Sequence, residues 1–278
     1  MNILAIEASG LVASAAVLED DVLKTEFTVN NRLTHSETLL PMIREMLRIS
    51  GLDLHDTDAI AVSAGPGSFT GLRIGAATAK GLALALNVPI ISISTLQAFG
   101  YGLCQVSDAV ICPIMDARRQ QVYSAAYRQG AVLLKEEARD IHAYIEELNG
   151  LYGDSDDAEY IFIGDGVPPY SDIISEELKG DVNFAGAGFA RQRAAWVAEL
   201  GAVIYKDWLC AHGYTASKVR SIGADGIDCF EGAVMNSDDF VPMYLRKTQA
   251  ERELSEGRLE DPGRHSLKKM QDKGARTS

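Results

Sequence analysis

The stretch Ala59–Ala85, AIAVSAGPGSFTGLRIGAATAKGLALA, decides how the rest of this chain is interpreted. It starts with a short apolar run, Ala59–Ala64, that has the length of a buried strand. Gly65-Pro66-Gly67 then breaks the run, because proline fixes one φ angle and glycine adopts backbone angles that other residues avoid. The pattern predicts a strand, a tight turn and a helix over Gly71–Leu86.

The start of this predicted helix is a candidate nucleotide- or anion-binding site, because a helix N-terminus offers unpaired N–H groups and a positive dipole pole. Arg73 lies in the first turn, where the dipole disfavours a cation, and this favours an acidic neighbour or a bound anion. The glycine spacing fits neither a Walker A loop nor a dinucleotide fingerprint. A strand-to-helix corner without a ligand is the alternative, and the local chemistry favours it. The candidate residues are Gly65, Gly67, Ser68, Thr70 and Arg73.

Small residues recur every four positions along the same helix, at Gly71, Gly75, Ala79 and Ala83. A glycine inside a helix costs about 1 kcal/mol relative to alanine. The stripe therefore predicts that another backbone approaches this side closely. Lys80 lies two turns after Arg73 on a common face, and its simplest role is to reach solvent.

A second helix is predicted over Thr38–Ile49. If Thr38 caps it, Pro41 falls in the first turn, whereas a cap at Thr34 paired with Glu37 places Pro41 in the interior. Apolar residues cover so much of its girth that it is either deeply buried or meets a partner. They are Leu39, Leu40, Met42, Ile43, Met46, Leu47 and Ile49.

The two halves of the chain share a short pattern. The chain opens with strands predicted at Asn2–Ile6, Val12–Leu18 and Val22–Val29. ILAIEA at 3–8 compares with CPIMDA at 112–117, each a strand followed by an acid and an alanine. This suggests a duplicated α/β unit with a cleft between the halves. Glu7 and Asp116 would then face the cleft as general acid/base or metal-binding candidates, or serve as turn and cap residues.

Composition narrows the function classes. The chain has 278 residues, is 47% hydrophobic and has a formal net charge of −13. This acidity argues against a free-standing, high-affinity nucleic-acid binder. The four cysteines include no CxxC pair, and no signal peptide or membrane span is evident, which predicts a cytoplasmic protein. We also find no HExxH, no GxSxG and no histidine pair at i, i+4. Beyond the candidates Glu7 and Asp116, the residues alone therefore give no convincing catalytic constellation and no cluster with metal-ligand spacing.

The second half continues with helices predicted at Asp140–Leu148 and Arg191–Leu209 and a strand at Tyr160–Ile163. A short apolar element, FVPMYLR at 240–246, ends the globular part. We expect an N-terminal domain at 1–106, a C-terminal domain at 107–250 and a disordered tail at 251–278, where charged residues dominate.

Four motifs resemble the bacterial TsaB family. They are THSETLLP at 34–41, AGPGSFTGLRIGAATAKGLALALNVPIISISTLQA at 64–98, MDARRQQVY at 115–123 and VPMYLR at 241–246. Members of this family belong to the machinery that forms N6-threonylcarbamoyladenosine at position 37 of tRNAs that read codons beginning with A. The similarity spans most of residues 1–250, and GPGSFTGLRIG is a specific marker. The tail lies outside the resemblance.

The resemblance implies an actin-like ATPase fold of two duplicated domains and a non-catalytic role. It implies a TsaD-type catalytic partner, which carries paired metal-binding histidines, and a TsaE-type ATPase, with tRNA bound indirectly through the complex. The two predicted helices would dock on TsaD, so that Ala79→Trp or Gly75→Leu would abolish the complex and leave the fold largely intact. The implied interface residues are Leu39, Met42, Ile43, Met46, Gly71, Gly75, Ala79, Lys80 and Ala83.

One departure from the family pattern bears on ligand binding. The family has Asp-Thr-Ser after the first strand, where this chain has Glu7-Ala8-Ser9. Ala8 offers no hydroxyl, which weakens a phosphate-binding role for the first hairpin. No cofactor is implied for the chain alone, and ATP or ADP would act at the level of the complex. A homodimer through the same helices is expected when the partner is absent.

Two other functions stay open at this stage. One is an ATPase or phosphotransferase that uses the cleft, with Glu7, Asp116 and the turn at 65–70. The other is a peptidase, which the missing metal or nucleophile set makes the weaker alternative.

Overall fold

The computed structural model describes residues 1–31, 33–152, 158–227 and 229–246. Within them, Met1–Leu245 forms one compact unit. The strands are β1 (Asn2–Glu7), β2 (Ala13–Glu19), β3 (Val22–Val29), β4 (Ala59–Gly65), β5 (Ile90–Ser94), β6 (Val110–Asp116), β7 (Gln121–Arg128), β8 (Ala131–Asp140), β9 (Glu159–Ile163), β10 (Asp181–Phe184) and β11 (Val234–Met235). The helices are α1 (His35–Ser50), α2 (Phe69–Leu86), α3 (Thr95–Cys104), α4 (Ile141–Leu151), α5 (Val167–Glu177), α6 (Ala194–His212) and α7 (Ala216–Ile222).

The strands form two sheets with the same internal plan. The first sheet has the order β11-β5-β4-β1-β2-β3, and the second has the order β10-β9-β6-β7-β8. In each sheet the central strand, β1 or β6, pairs antiparallel with the strand that follows it and parallel with β4 or β9. This repeated order confirms the predicted α/β, actin-like architecture of two duplicated halves.

Alternation along β1 shows how the first sheet is covered on both faces. Ile3 and Ala5 pack into a core with α3 and α6, whereas Leu4 and Ile6 pack into a core with α1 and α2. Successive side chains on a strand point to opposite faces, so a strand apolar at every position must be buried on both. In the second sheet, residues of β6 and β9 pack against α4 and α5.

Helix α1 starts earlier than the sequence indicated. Thr34 is its N-cap and forms a capping box with Glu37, so the second of the two caps considered is the one observed. Pro41 therefore lies inside the helix. Helix α2 begins at Phe69, with Ser68 as its N-cap, and ends at Asn87 in a left-handed conformation. Elements β8, α5, β10, α7 and β11 were not predicted.

The predicted boundary at residue 106 falls between the two sheets, but later segments return to the first one. Helix α6 packs against β1 and β2, and β11 pairs with β5. Phe240 is buried in the core beneath α1 and α2. The division into domains stays a prediction, and the expected disordered tail at 251–278 lies outside the described residues.

The start of α2 lies directly against the turn that joins β1 to β2. A Cβ added at Gly71 would lie 2.1 Å from the Ala8 carbonyl oxygen, and one added at Gly67 would lie 2.2 Å from the Ser9 carbonyl oxygen. Ser68 N donates a hydrogen bond to that same Ser9 oxygen over 2.6 Å. Side chains larger than hydrogen would separate these backbones, and this accounts for two glycines of the GPGSFTG motif.

Two alanine substitutions in α2 should have opposite effects on stability. Gly71→Ala should lower the free energy of unfolding by about 1–3 kcal/mol, because the new methyl group meets the Ala8 backbone. Gly81→Ala should raise it by about 1 kcal/mol, because nothing lies within 4 Å of a Cβ there. Urea denaturation of both variants measures the difference. Equal effects would contradict the packing role of Gly71.

Candidate functional site

The backbone and side chains at the start of α2 are largely engaged by the chain itself. Ser68 Oγ accepts a hydrogen bond from Gly71 N over 3.3 Å. Gly65 has a φ of 120°, and a Cβ there would lie 2.5 Å from the Met243 carbonyl oxygen. Ser68 and Thr70 face solvent. The glycines thus have packing reasons, and anion binding at this turn stays a prediction.

Arg73 has an aromatic contact in place of the acidic neighbour considered from the sequence. Its guanidinium lies 3.8 Å from the ring centroid of Phe69, and the Phe69 ring lies 5.0 Å from that of Tyr244. A cation over an aromatic face is stabilised by the ring quadrupole, which offsets the unfavourable helix dipole in the first turn.

Carboxyl groups from three strand ends come together between the two sheets. Glu7 and Asp116 end the equivalent strands β1 and β6, as the repeat suggested. The third is Asp165, in the Gly-Asp-Gly turn after β9, whose Oδ1 accepts a hydrogen bond from Asp116 N over 3.3 Å. The sequence analysis did not select Asp165.

Burial dominates the electrostatics of these carboxyls. Glu7 is 1% exposed and accepts hydrogen bonds from Ser9 N (2.6 Å) and Ser9 Oγ (2.5 Å). Burial raises the pKa of Glu7 to about 6 in spite of these bonds, and the negative charge of Asp165 adds to the effect. Burial also raises the pKa of Asp165, which the Asp116 N–H and Arg191 partly oppose. Both groups therefore favour a proton more than they would in water.

The turn between β1 and β2 is covered by other parts of the chain. His35 Nε2 lies 3.0 Å from the Gly10 carbonyl oxygen, and Ser68 N bonds Ser9. The amide of Gln192 packs on Gly10, because a Cβ there would lie 2.3 Å from Gln192 Nε2. These contacts leave little space at Ser9 and Gly10 for a phosphate chain, so this geometry does not support the phosphotransferase alternative.

The carboxyl cluster has no metal-site geometry. Among the residues described, no group of three or more histidine, cysteine, aspartate or glutamate side chains is arranged to hold a metal ion. The hydrogen bond from Asp116 N to Asp165 holds the turn after β9 to the end of β6, and the positive charge of Arg191 favours the ionised Asp165, which gives these two acids a structural explanation.

The residues proposed for the partner interface lie mostly inside the chain. Leu39, Met42, Ile43 and Met46 face the sheet from α1, and Gly71, Gly75, Ala79 and Ala83 face it from α2. They pack in the chain's own core, so their choice as surface residues needs correction. The expectation for Ala79→Trp and Gly75→Leu is also wrong, because Ala79 is fully buried and a Cβ at Gly75 would already lie 3.1 Å from Ala8 Cβ. Such substitutions would disrupt the fold.

Lys80 also has a role within the chain. Its Nζ donates hydrogen bonds to the carbonyl oxygens of Asp238 (3.2 Å) and Phe240 (3.0 Å). Met243 N donates to Ala64 O over 2.7 Å, which fixes the same segment further along. Lys80 therefore anchors the segment 238–244, which we call the C-terminal strap, to α2.

The outward sides of α1 and α2, which pack side by side, carry exposed aliphatic residues. Leu40 is 52% exposed and Ile49 58% exposed on α1, and Leu84 is 66% exposed on α2. A depression of about 520 Å³ on α1 is lined by Leu40, Pro41, Arg44, Glu45 and Arg48. We call these two sides the outer helix faces. The sequence did not separate them from the buried sides, because α1 is apolar around most of its girth.

Comparisons with known proteins agree with the sequence motifs. Residues 30–253 match a family model described as TsaD: tRNA N6-adenosine threonylcarbamoyltransferase. The tRNA threonylcarbamoyladenosine biosynthesis protein TsaB of Escherichia coli is 33% identical over 63% of this chain and 76% of its own length. That of Bacillus subtilis is 31% identical over 67% of this chain and 80% of its own length. The chain belongs to the TsaB family.

A solved structure extends the likeness of this TsaB-family chain to the fold. YeaZ from Pseudomonas aeruginosa superposes with a TM-score of 0.62 at 25% identity, covering 88% of this chain and 99% of its own. A second P. aeruginosa structure, described as similar to the peptidase YeaZ, gives a TM-score of 0.64 at 23% identity. No helix within the described ranges is long and apolar enough to cross a membrane.

The titration of Glu7 predicts a pH dependence of stability. Its pKa is about 6 when folded and 4.5 ordinarily, so the folded state holds the proton more tightly than the unfolded state. The associated stability is fully present below pH 4.5 and is lost as pH rises through 6, an amount of roughly 2 kcal/mol. Glu7→Gln should remove this part of the pH dependence. Urea denaturation from pH 4.5 to 7.5 tests it, and parallel curves for the two proteins would contradict it.

Proposed function

We propose that this chain is a non-catalytic subunit that supports a TsaD-type enzyme in forming N6-threonylcarbamoyladenosine at position 37 of tRNAs that read codons beginning with A. Its family membership supports the pathway, since the relatives are named as tRNA threonylcarbamoyladenosine biosynthesis proteins. A supporting role agrees with the sequence, in which the five histidines include no i, i+4 pair.

The observation that carries the proposal is the exposure of aliphatic residues on the outer helix faces. Leu40 and Ile49 lie nine residues apart on α1 and so flank its outward side, and Leu84 lies on the adjacent α2 near the exposed Ala77 and Gly81. Exposed apolar surface marks an interaction site where it is contiguous. The TsaD-type subunit would cover them with helices of its own.

Gly81 supports the same interpretation. It lies in the interior of α2, where glycine costs about 1 kcal/mol, yet nothing within 4 Å requires it. Ala77 and Ala85 are exposed near it. A helix with small residues on its outward side lets a partner helix approach closely. The sequence analysis assigned close approach of a partner helix to the stripe Gly71, Gly75, Ala79 and Ala83, which is buried. We assign it instead to the exposed residues Ala77, Gly81 and Ala85.

Other members of the assembly follow from the same proposal. A TsaE-type ATPase would join the complex, and ATP or ADP would bind at the level of the assembly. The tRNA would be held mainly by the other subunits, because this chain has a formal net charge of −13.

Leu84→Glu should weaken binding to the TsaD-type subunit by 100-fold or more, an order-of-magnitude expectation for burying an unpaired charge at an interface centre. Isothermal titration with the purified partner measures the affinity. Val203→Glu is the matched control, since Val203 is an exposed aliphatic residue on α6, away from the outer helix faces. It should bind like the wild type.

Unchanged binding by Leu84→Glu, with both variants folded by circular dichroism, would remove the outer helix faces as the docking surface. Turnover of ATP by the chain alone, lost in Asp116→Asn, would instead favour the phosphotransferase alternative.

In the absence of the partner, the outer helix faces should bring two copies of the chain together. Sedimentation velocity at rising concentration should then show a reversible dimer for the wild type and a monomer for Leu84→Glu, because a two-fold contact places the new charge against its own copy. A dimer that persists in this variant would place the contact elsewhere.

A further inference from the structure

The turn between β6 and β7 has an unusual backbone. Three consecutive residues that are not glycine, Arg118, Arg119 and Gln120, have φ angles of 66°, 58° and 59°. In this left-handed region a side chain crowds the following carbonyl oxygen, so residues other than glycine, asparagine and aspartate rarely adopt it.

Hydrogen bonds on both sides hold this turn in place. Ala117 N donates to Gln121 O (2.9 Å), and Gln121 N donates to Arg118 O (3.2 Å). Asp116 Oδ1 accepts from Arg118 N over 2.8 Å, so the residue that ends β6 also fixes the entry to the turn. The surrounding sheet therefore imposes the conformation, as is typical where such strain serves a function.

The equivalent turn of the first sheet shows a less strained solution. Between β1 and β2 the chain reverses through Ser9 and Gly10, which are buried beneath Gln192 and His35. Between β6 and β7 the corresponding turn is open to solvent, and the side chain of Arg118 is 88% exposed. Glycine or asparagine would relieve the strain at these positions. Arginine at two of them indicates that the side chains matter.

The outermost charges of the turn are positive. Three acids lie beneath or beside it, and each has a partner: Asp116 bonds the turn backbone, Asp165 accepts from Asp116 N, and Asp140 caps α4 through His142 N. Arg118 also lies 3.9 Å from Asp116, and both arginines face solvent. Guanidinium groups on two consecutive residues of the turn offer N–H donors that match phosphate oxygens.

The geometry points to the turn Arg118–Gln120 as a contact for the phosphate backbone of RNA. This inference rests on the proposed function, which supplies a tRNA to the assembly of which the chain is part. It assigns one local contact to an otherwise acidic subunit. Such a contact positions the RNA and reads no sequence.

The test uses the full chain assembled with its TsaD-type and TsaE-type subunits and a substrate tRNA. Arg118→Gln/Arg119→Gln should weaken tRNA binding about tenfold and lower the slope of log affinity against log salt by about 1.5, since two phosphate contacts are lost. Lys135→Gln/Lys218→Gln removes the same two charges from exposed positions elsewhere and should change neither value.

A second variant separates this role from a structural one. Arg118→Gly/Arg119→Gly relieves the backbone strain, so its melting temperature should equal or exceed that of the wild type while its tRNA affinity falls as in the glutamine variant. A loss of stability with unchanged affinity would overturn the inference.

Assembly is scored in parallel by size-exclusion chromatography. If the arginine variants are folded but no longer join the complex, the turn contacts a protein subunit and the inference is wrong. If the complex is intact and the tRNA affinity is unchanged, the inference alone is overturned. If the wild-type chain does not join the complex, the proposed function fails and this inference falls with it.

Discussion

The rest of the structure depends on the close approach between the start of α2 and the β1–β2 turn. Gly67 and Gly71 let the helix lie against the Ser9 and Ala8 carbonyl oxygens, and Ser68 N bonds Ser9 directly. With α2 fixed against the sheet, α1 packs beside it and both helices bury their inward sides in one core. This packing also sets the outer helix faces, because they are the sides of α1 and α2 that do not contact the sheet.

The two duplicated halves share one strand order but differ at the turn after the central strand. In the first half the turn after the central strand is closed by His35, Ser68 and Gln192, so the site is filled from within. In the second half the equivalent turn is open and carries arginines. The buried carboxyls of Glu7 and Asp165 meet where the halves join. The β1–β2 turn is therefore occupied by contacts within the chain, whereas the β6–β7 turn faces solvent.

Much of this fold could be predicted from the sequence, because apolar runs of strand length and glycine breaks are local signals. The opening strands, β4, α2 and the repeat around Glu7 and Asp116 all follow from such patterns. The orientation of α1 and α2 could not be predicted. Both carry apolar residues on more than one side, and only the position of the sheet separates Leu39 from Leu40.

The residues that meet at the candidate site could not be predicted from the sequence either. Asp165 and Gln192 are brought to the β1 turn by chain segments more than 150 positions away in sequence, as the register and contacts of the sheets require. A Gly-Asp-Gly turn and a glutamine after arginine are common, so neither marks a site by itself. Lys80 likewise has the sequence pattern of a solvated lysine, and only the C-terminal strap reveals its two carbonyl partners.

The C-terminal strap has a consequence for synthesis of the protein on the ribosome. Phe240 fills the core under α1 and α2, α6 covers one face of the first sheet, and β11 adds its edge strand, although all three are translated after the second sheet. The amino-terminal half emerges first but lacks these pieces until nearly the whole compact unit has been made. Its apolar surface therefore stays exposed, or bound by a chaperone, until the last segments of the compact unit have been synthesised.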